Sequence, residues 1–503
     1  MRVFRCAVGV LLLSGCTVGP NFHEPASMAV PSATQQSLAQ AQLSDAQTPE
    51  AWWDAFGDPI LTQIEAQAVV GNLDLQIAAT RVAQGRAALR IAGASALPRA
   101  GAAASYMRER ASRNGVLGLT GASAPTADAA GGADPFGSTT LDQSSGSSDF
   151  DLFQAGFDAS WEFDLWGKAR RTREAARADA QAAVLDREAA RISLTAEVAR
   201  TYFVLRGAEA RLAVIKSNRE TVARGLAIAA NREAKGAASR YDAATAATQL
   251  ATIDATIPAL EREADAARNA LAFLVGAEPH ALDATLAASR GTIPQTQLVI
   301  AGGIASELAH RRPDIASAEA TLHAATARIG VAKADFYPSI SLSGSLGTQA
   351  LDISNLPQWA SRQFIVGPVL HLPIFEGGRL KGNLDLTKAD QQAAAIRYRE
   401  TVLRAWHEVD DAVTTVRTEQ ARAVATSRAV DQSRIAVNVA ERRYRAGAIG
   451  YLEVLIAERA QLASEADLTS ATTDNGLAII ALYKALGGGW TPPVANQKSG
   501  SGL

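Results

Sequence analysis

The sequence predicts a mainly α chain with a small β part, internally duplicated and built on long coiled-coil helices. Three observations carry that reading. The composition is apolar through Ala rather than through aromatics, which make up 6% of residues, and such an Arg/Glu-dotted chain suits long packed helices better than a bulky globular core. Apolar residues recur at seven-residue spacing through a proline-free stretch from Lys168 to Lys235, the pattern of coiled-coil packing. Similar blocks then return at fixed offsets, the mark of an internal repeat.

Met1-Arg2-Val3-Phe4-Arg5 carries two positive charges, and the apolar run Ala7 to Leu13 follows, ending at Ser14-Gly15-Cys16. This reads as a secretory signal, too short to span a bilayer, which takes ~20 apolar residues. Leu13-Ser14-Gly15-Cys16 has the form of a bacterial lipobox, whose cleavage leaves Cys16 as an acylated first residue carrying diacylglycerol and an N-acyl chain. The plain alternative is a signal peptide with an incidental Cys. Thr17, rather than Asp, follows, which favours the outer over the inner membrane. Cys6, the only other Cys, falls in the removed segment, so no disulfide within the mature chain is possible.

Residues 16–57 read as a lipidated tether, rich in Pro, Gln, Ser and Ala and without periodicity. From Asp58-Pro59 to about Ala96 the chain reads as one helix, stopped by Pro98. Phe153, Ala155, Phe157, Ala159, Trp161, Phe163 and Leu165 then alternate with small or polar residues, a β-strand with one apolar and one wet face. Its length exceeds the ~9–11 residues of a tilted transmembrane strand. A weaker partner strand is expected near 100–109, and the Gly/Ser-rich 111–148 as a surface loop. The helix from Lys168 would be about 100 Å long. In it Val198, Leu205 and Leu212, then Ile215, Val222 and Ala229, are seven apart across a three-residue phase slip. A second helix, 239–275, follows Gly236 and contains Pro258, which is expected to kink it.

The second half repeats the first. Asp74 to Pro98 aligns with Asp314 to Pro338 at an offset of 240, and Gly236 with Gly447 at an offset of 211. After Pro338, Ile340, Leu342 and Leu346 alternate with serines, and Phe364, Val366, Leu370, Leu372 and Ile374 form another period-2 segment. A long helix then runs from about Arg379 to Arg445. The chain accordingly divides into a signal peptide (1–15), tether (16–57), first repeat (58–276), linker (277–301), second repeat (302–488) and flexible tail (489–503).

Four strands cannot close a barrel, since bacterial barrels start at eight, and open edges cannot sit in lipid, where every backbone polar group must be paired. If these strands cross a membrane, the barrel is shared: two chains supply eight strands, three supply twelve. Net charge is −2, with none of the basic footprint that nucleic acid requires. The six His have no metal-ligand spacing, and neither HExxH nor a GxxxxGK[ST] phosphate loop is present. No catalytic constellation stands out, so energy for transport would come from a partner. Asp410-Asp411, beside Trp406 and His407, reads as a wet helix face.

Several motifs in order resemble the outer-membrane factor family of the TolC/OprM type, in its NodT-like lipoprotein branch. These are Cys16 to Phe22, Trp52-Trp53-Asp54-Ala55-Phe56-Gly57-Asp58-Pro59, Trp161 to Gly167, Ile257-Pro258-Ala259-Leu260-Glu261, Arg311-Arg312-Pro313-Asp314-Ile315 and Ala334-Asp335-Phe336-Tyr337-Pro338. The resemblance spans essentially the whole mature chain. It implies a homotrimer, a shared 12-stranded β-barrel in outer-membrane lipid, and a periplasmic α-barrel closed at its tip. It also implies a passive duct docked to a periplasmic adaptor and an inner-membrane pump of the resistance–nodulation–division type.

The hairpins at Gly236 and Gly447 would form that tip and the docking surface, although each is also simply a helix–helix turn. The resemblance places a constricting acidic residue at Glu453, with Ile456 where a second acid is expected, and a latch between Tyr444 and Asp242. Three carboxylates on a threefold axis would raise one another's pKa and attract cations; the plain alternative for Glu453 is a solvated surface residue. Two other classes share the lipobox and coiled coil, a periplasmic adaptor and a structural coiled-coil lipoprotein. Two strand pairs with two hairpins argue against both.

Overall fold

The computed structural model describes residues 17–26, 48–110, 149–236, 239–295 and 312–491. The signal segment, Cys16, most of the tether, the loop at 111–148, Ala237, the end of the linker and the tail from 492 lie outside the described residues. The chain divides into two compact units. One comprises Met1–Pro20, Arg90–Glu174 and Ala327–Thr387; the other comprises Asn21–Leu89, Ala175–Thr326 and Lys388–Leu503.

The duplication is explicit in element lengths. Helices α2 (Leu73–Ala94) and α6 (Pro313–Ala334) have 22 residues each. Strands β1 (Arg99–Arg110) and β3 (Ser339–Ala350) have 12 each. Helices α3 (Lys168–Ala234) and α7 (Arg379–Arg445) have 67 each, and α4 (Arg240–Leu274) and α8 (Tyr451–Ala485) have 35 each. Strands β2 (Asp149–Phe163) and β4 (Arg362–His371) differ, at 15 and 10 residues. A short helix α5, Asp283–Leu286, lies in the linker.

In the first unit the four strands form one antiparallel sheet in the order β1-β2-β3-β4. Strand β2 begins four residues before the expected Phe153 and ends at Phe163, where Asp164 turns to cap α3 by accepting from the backbone N–H of Ala169 (3.1 Å) and Arg170 (3.0 Å). Strand β4 stops at His371, so Leu372 and Ile374 are not in it. The residues shared with the family pattern fasten the strand ends. Trp166 stacks on Tyr337 at 4.6 Å and donates its indole N–H to the Pro338 carbonyl at 2.7 Å, and Lys168 pairs with Asp335 at 2.7 Å. Val18 donates its N–H to the Trp166 carbonyl at 3.0 Å.

In the second unit the core runs along α3, α4, α7 and α8. The heptad residues Val198, Leu205, Val222 and Ala229 are buried, and Leu212 and Ile215, at the phase slip, are half-buried. Pro258 lies inside α4 and does not end it.

Two expectations fail in this unit. The tether does not extend to residue 57, because Trp52–Phe56 is a 3-10 helix whose Trp52, Trp53 and Phe56 are buried. Trp52 stacks on Tyr483 at 5.1 Å, and Phe56 meets Phe203 edge-on at 4.8 Å. Burying each such side chain contributes about 1.5–3 kcal/mol, which outweighs the polar composition of the preceding segment. At the other end Trp490 is buried against Leu185 and Ile192, so packed structure passes the boundary drawn at 488.

The first predicted helix is also two, α1 (Pro59–Gly71) and α2, broken at Asn72. Asn72 accepts from the Leu75 N–H at 2.9 Å and donates its amide to the Leu274 carbonyl at 2.8 Å. A Cβ on Gly71 would lie 2.2 Å from the Val275 carbonyl oxygen, so only glycine lets the chain pass there. Asn72→Ala removes the cap and leaves a half-buried acceptor without its donor. It is expected to cost about 1–2 kcal/mol in denaturant unfolding, and an unchanged midpoint would refute the cap.

Candidate functional site: sheet faces and hairpin ends

Directly paired residues of antiparallel strands share a face, so the register sorts the sheet. One face carries Phe153, Ala155, Phe157, Ala159, Trp161 and Phe163 of β2. Beside them stand Tyr106, Ala104 and Ala102 of β1, Leu346 and Leu342 of β3, and Phe364, Val366 and Leu370 of β4. The other face is mostly polar, with Gln154, Asp158, Ser160 and Glu162 of β2 and Ser341, Ser343, Ser345 and Gln349 of β3, joined by Ile365 and Val369 on the edge strand β4 and by Met107 and Leu152 near the far end of β1 and β2. On the apolar face Phe157 is 69% exposed and Phe364 76%. So much bare aromatic surface is not a water-facing arrangement.

Aromatic pairs bound that face at both ends. Tyr106 and Phe153 lie 4.9 Å apart at one end; Trp161 and Phe163 lie 4.6 Å apart at the other. Tyr106 donates its hydroxyl to Asp151 at 3.0 Å, and Trp161 donates its N–H to the Ala96 carbonyl at 3.0 Å, so one aromatic of each pair has a polar tie at the end of the apolar band. From Phe153 to Phe163 is roughly 33 Å along a strand, or about 25 Å across when tilted ~40°, the height of the apolar band of an outer-membrane barrel. On the polar face a Cβ on Gly156 would lie 2.9 Å from the Gly347 Cα, and one on Gly347 would lie 2.7 Å from the Ala155 carbonyl oxygen. Only a glycine pair lets β2 and β3 approach so closely. Strands β1 and β4 are the sheet's two edges, with no further strand beyond either among the described residues.

At the hairpin ends Gly236 (φ 69°) and Gly447 (φ 74°) adopt the left-handed conformation that stops α3 and α7. After Gly447 the Ala448 N–H donates back to the Arg443 carbonyl at 2.9 Å and the Gly447 N–H to Tyr444 at 3.0 Å. The two following helices begin differently. Helix α4 has a capping box, in which Ser239 and Asp242 satisfy one another's backbone N–H. Helix α8 begins at Gly450 with no side-chain cap.

Of the predicted gate residues, Glu453 is exposed in the first turn of α8, its Oε2 3.1 Å from where a Cβ on Gly450 would stand. Asp242 is half-buried and occupied by Ser239. Tyr444 lies under the Arg232 guanidinium at 4.4 Å and packs on Tyr451 at 5.3 Å. Among the described residues no hydrogen bond joins Tyr444 to Asp242.

Beneath these lies a cluster the sequence reading passed over. Tyr451 is 4% exposed and packs so closely on Gly225 that a Cβ there would meet its hydroxyl at 1.7 Å. Two turns further along the same face of α8, Glu458 is 7% exposed, with Oε2 lacking any hydrogen-bond partner, as does the Tyr451 hydroxyl. Burial, reinforced by Glu441 on α7 and opposed by Arg224 on α3, pushes the Glu458 carboxyl up to about 7. The next residue, Arg459, donates to Gln249 of α4 at 2.5 Å. The signal was available: Tyr451, Val454, Leu455 and Glu458 follow the i, i+3, i+4, i+7 rule of a buried stripe, and Glu453 does not. No group of side chains suited to hold a metal occurs among the described residues.

Comparison with known proteins agrees with this geometry. Residues 66–277 and 304–488 match the family model described as outer membrane efflux protein. The outer membrane protein OprJ of Pseudomonas aeruginosa is 32% identical over 482 residues, covering 95% of this chain and 94% of that one. Nodulation protein T of Rhizobium leguminosarum bv. viciae is 31% identical, covering 100% and 97%. The solved structure of the outer-membrane channel OprN superposes with a TM-score of 0.83 at 33% identity, over 95% of this chain and all of that one. Two matched repeats, a sheet with one membrane-facing side and paired helical hairpins together place this chain in the outer membrane efflux protein family.

Proposed function

We propose that the chain is the outer-membrane duct of a tripartite efflux system. It is a passive homotrimer that exports small molecules from the periplasm and draws its energy from an inner-membrane pump reached through a periplasmic adaptor. The observation that carries this is the open four-stranded sheet, apolar on one side and polar on the other. Its two bare edges require other chains, and three copies close twelve strands around a wet lumen. Outer-membrane lipid holds the apolar face, and acyl chains on Cys16 add an anchor. A heat-sensitive trimer on a mild gel, recovered in the outer-membrane fraction, is the expected result. A monomer free in the periplasm would overturn the reading.

The gate belongs to the same proposal. The hairpin ends at Gly236 and Gly447 form the closed tip and dock the adaptor. Glu453 lies on an exposed stripe between Leu452 and Ile456, available to the threefold axis. Three such carboxylates attract cations, so Glu453→Gln is expected to lower cation selectivity in planar bilayers. Asp242→Ala removes the capping box of α4 at the hairpin end and is expected to raise single-channel conductance. Currents identical to wild type in both variants would exclude these residues from the gate.

A further inference from the structure

Below the hairpin between β3 and β4, the apolar face of the sheet carries a groove of about 1000 Å³. Its floor is small, with Ala102, Ala104 and Ala155, and its walls are Phe157, Leu346 and Phe364. At its end Arg362 lies on that same face, paired across the sheet with Thr348 and one row from Tyr106–Phe153. Its guanidinium sits 3.6 Å from the centre of the Trp359 ring, and Trp359 is 80% exposed. Among the described residues Arg362 has no carboxylate partner, whereas Arg110, on the neighbouring hairpin, is paired with Asp149 at 2.8 Å.

A cation on a lipid-facing surface is costly unless it meets an anion at the interface. Stacking on Trp359 holds the guanidinium flat, its fork open to bidentate contact with phosphate. Chain order fixes the leaflet. Helices meet the strands at Leu97, Lys168, Pro338 and Arg379, so the other strand ends, at Arg110, Asp149, Ala350 and Arg362, lie at the opposite, outward end. We propose that each protomer binds one phosphorylated glycolipid of the outer leaflet, its sugar phosphate on Arg362 and one acyl chain in the alanine-floored groove. The proposal rests on the outer-membrane reading, and fractionation tests that reading separately.

The test is mass spectrometry of lipid retained by the detergent-washed trimer from outer membranes. Wild type is expected to retain the glycolipid. Arg362→Gln is expected to reduce it about tenfold, as loss of one charge-assisted contact allows; Trp359→Ala reduces it less, and Arg445→Gln at the helical hairpin leaves it unchanged. Trimer stability on the gel confirms that each variant is folded. Equal retention in Arg362→Gln overturns the proposal, as does recovery of glycerophospholipid in place of the glycolipid. A chain lacking residues 115–144 tests the other occupant. If glycolipid binds only after that deletion, the groove belongs to the deleted segment and the proposal fails; if wild type and deletion bind alike, it stands.

Discussion

Glu209→Ala is expected to destabilise the helical unit by about 3–5 kcal/mol, the cost of leaving a buried charge without its partner. Glu209 and Arg206 are both buried on α3, with Arg206 wholly excluded from solvent. Arg206 donates to Glu209 at 2.8 Å and to the Leu286 carbonyl at 2.9 Å, and its guanidinium lies 4.7 Å from the Tyr202 ring centre. Arg268 of α4 donates to the same carboxylate at 3.1 Å, as does the Gly291 N–H at 3.2 Å. One carboxylate therefore ties two helices to the linker carrying α5. Without it Arg206 keeps only a carbonyl and a ring, and residues 283–291 lose a tether. Denaturant unfolding of the detergent-solubilised protein measures the first effect, and faster amide exchange confined to the linker measures the second. Replacing both residues together by Arg206→Met and Glu209→Leu is expected to cost less than Glu209→Ala alone, because the fully buried Arg206 charge is then not stranded and Arg268 keeps Asp265. A double variant as unstable as the sum of its parts would show that packing, not charge pairing, governs the site.

That cluster also marks where sequence reading ran out. Elements bounded by local chemistry were legible. Gly236 and Gly447 end helices through their own backbone preference, Pro98 and Pro338 end α2 and α6 by blocking continuation, and the alternation from Phe153 to Phe163 has one physical solution. The duplication added a check, since each boundary in one half had a counterpart in the other. What escaped depended on partners distant in sequence. Asn72 breaks a helix because the Leu274 carbonyl, 202 residues on, takes its amide. Trp52 and Trp53 left an apparently polar tether because Tyr483 and the α3 core were waiting. No periodicity connects Glu209 with Arg268 and Gly291.

At the hairpins the buried titratable group is a different one from the residue that the resemblance named. Glu453 was singled out by resemblance and is exposed in the single chain. Five residues on, Glu458 sits in the buried stripe that begins at Tyr451. A charge placed on such a stripe is costly unless it is neutralised or paired, and Glu458 is held near neutrality instead of being paired.

The result is a pH dependence built into the first two turns of α8. The folded carboxyl of Glu458 ionises only near 7, whereas in an unfolded chain a Glu ionises near ~4.3. Below both values Glu458 is protonated in both states and the fold keeps its full contribution. Between them the unfolded chain has lost the proton that the fold retains, so stability falls as pH rises, by about 1.4 kcal/mol per pH unit. The loss amounts to roughly 3 kcal/mol per protomer by neutrality, after which the slope ends. Burial is the main reason its charge is disfavoured, Glu441 adds to it, and Arg224 opposes both. Glu458→Gln is therefore expected to abolish the slope between pH 5 and 8 and to leave α8 as firm at pH 8 as wild type is at pH 5. Glu441→Gln removes only the neighbouring charge and is expected to shift the slope to lower pH without abolishing it. Amide exchange of residues 451–460 at both pH values reads the effect locally, and bilayer conductance reads whether the tip loosens with it. If wild type and Glu458→Gln exchange with the same pH dependence once intrinsic rates are removed, Glu458 is not the titrating group, and the buried stripe tolerates its charge at a cost that packing alone must offset.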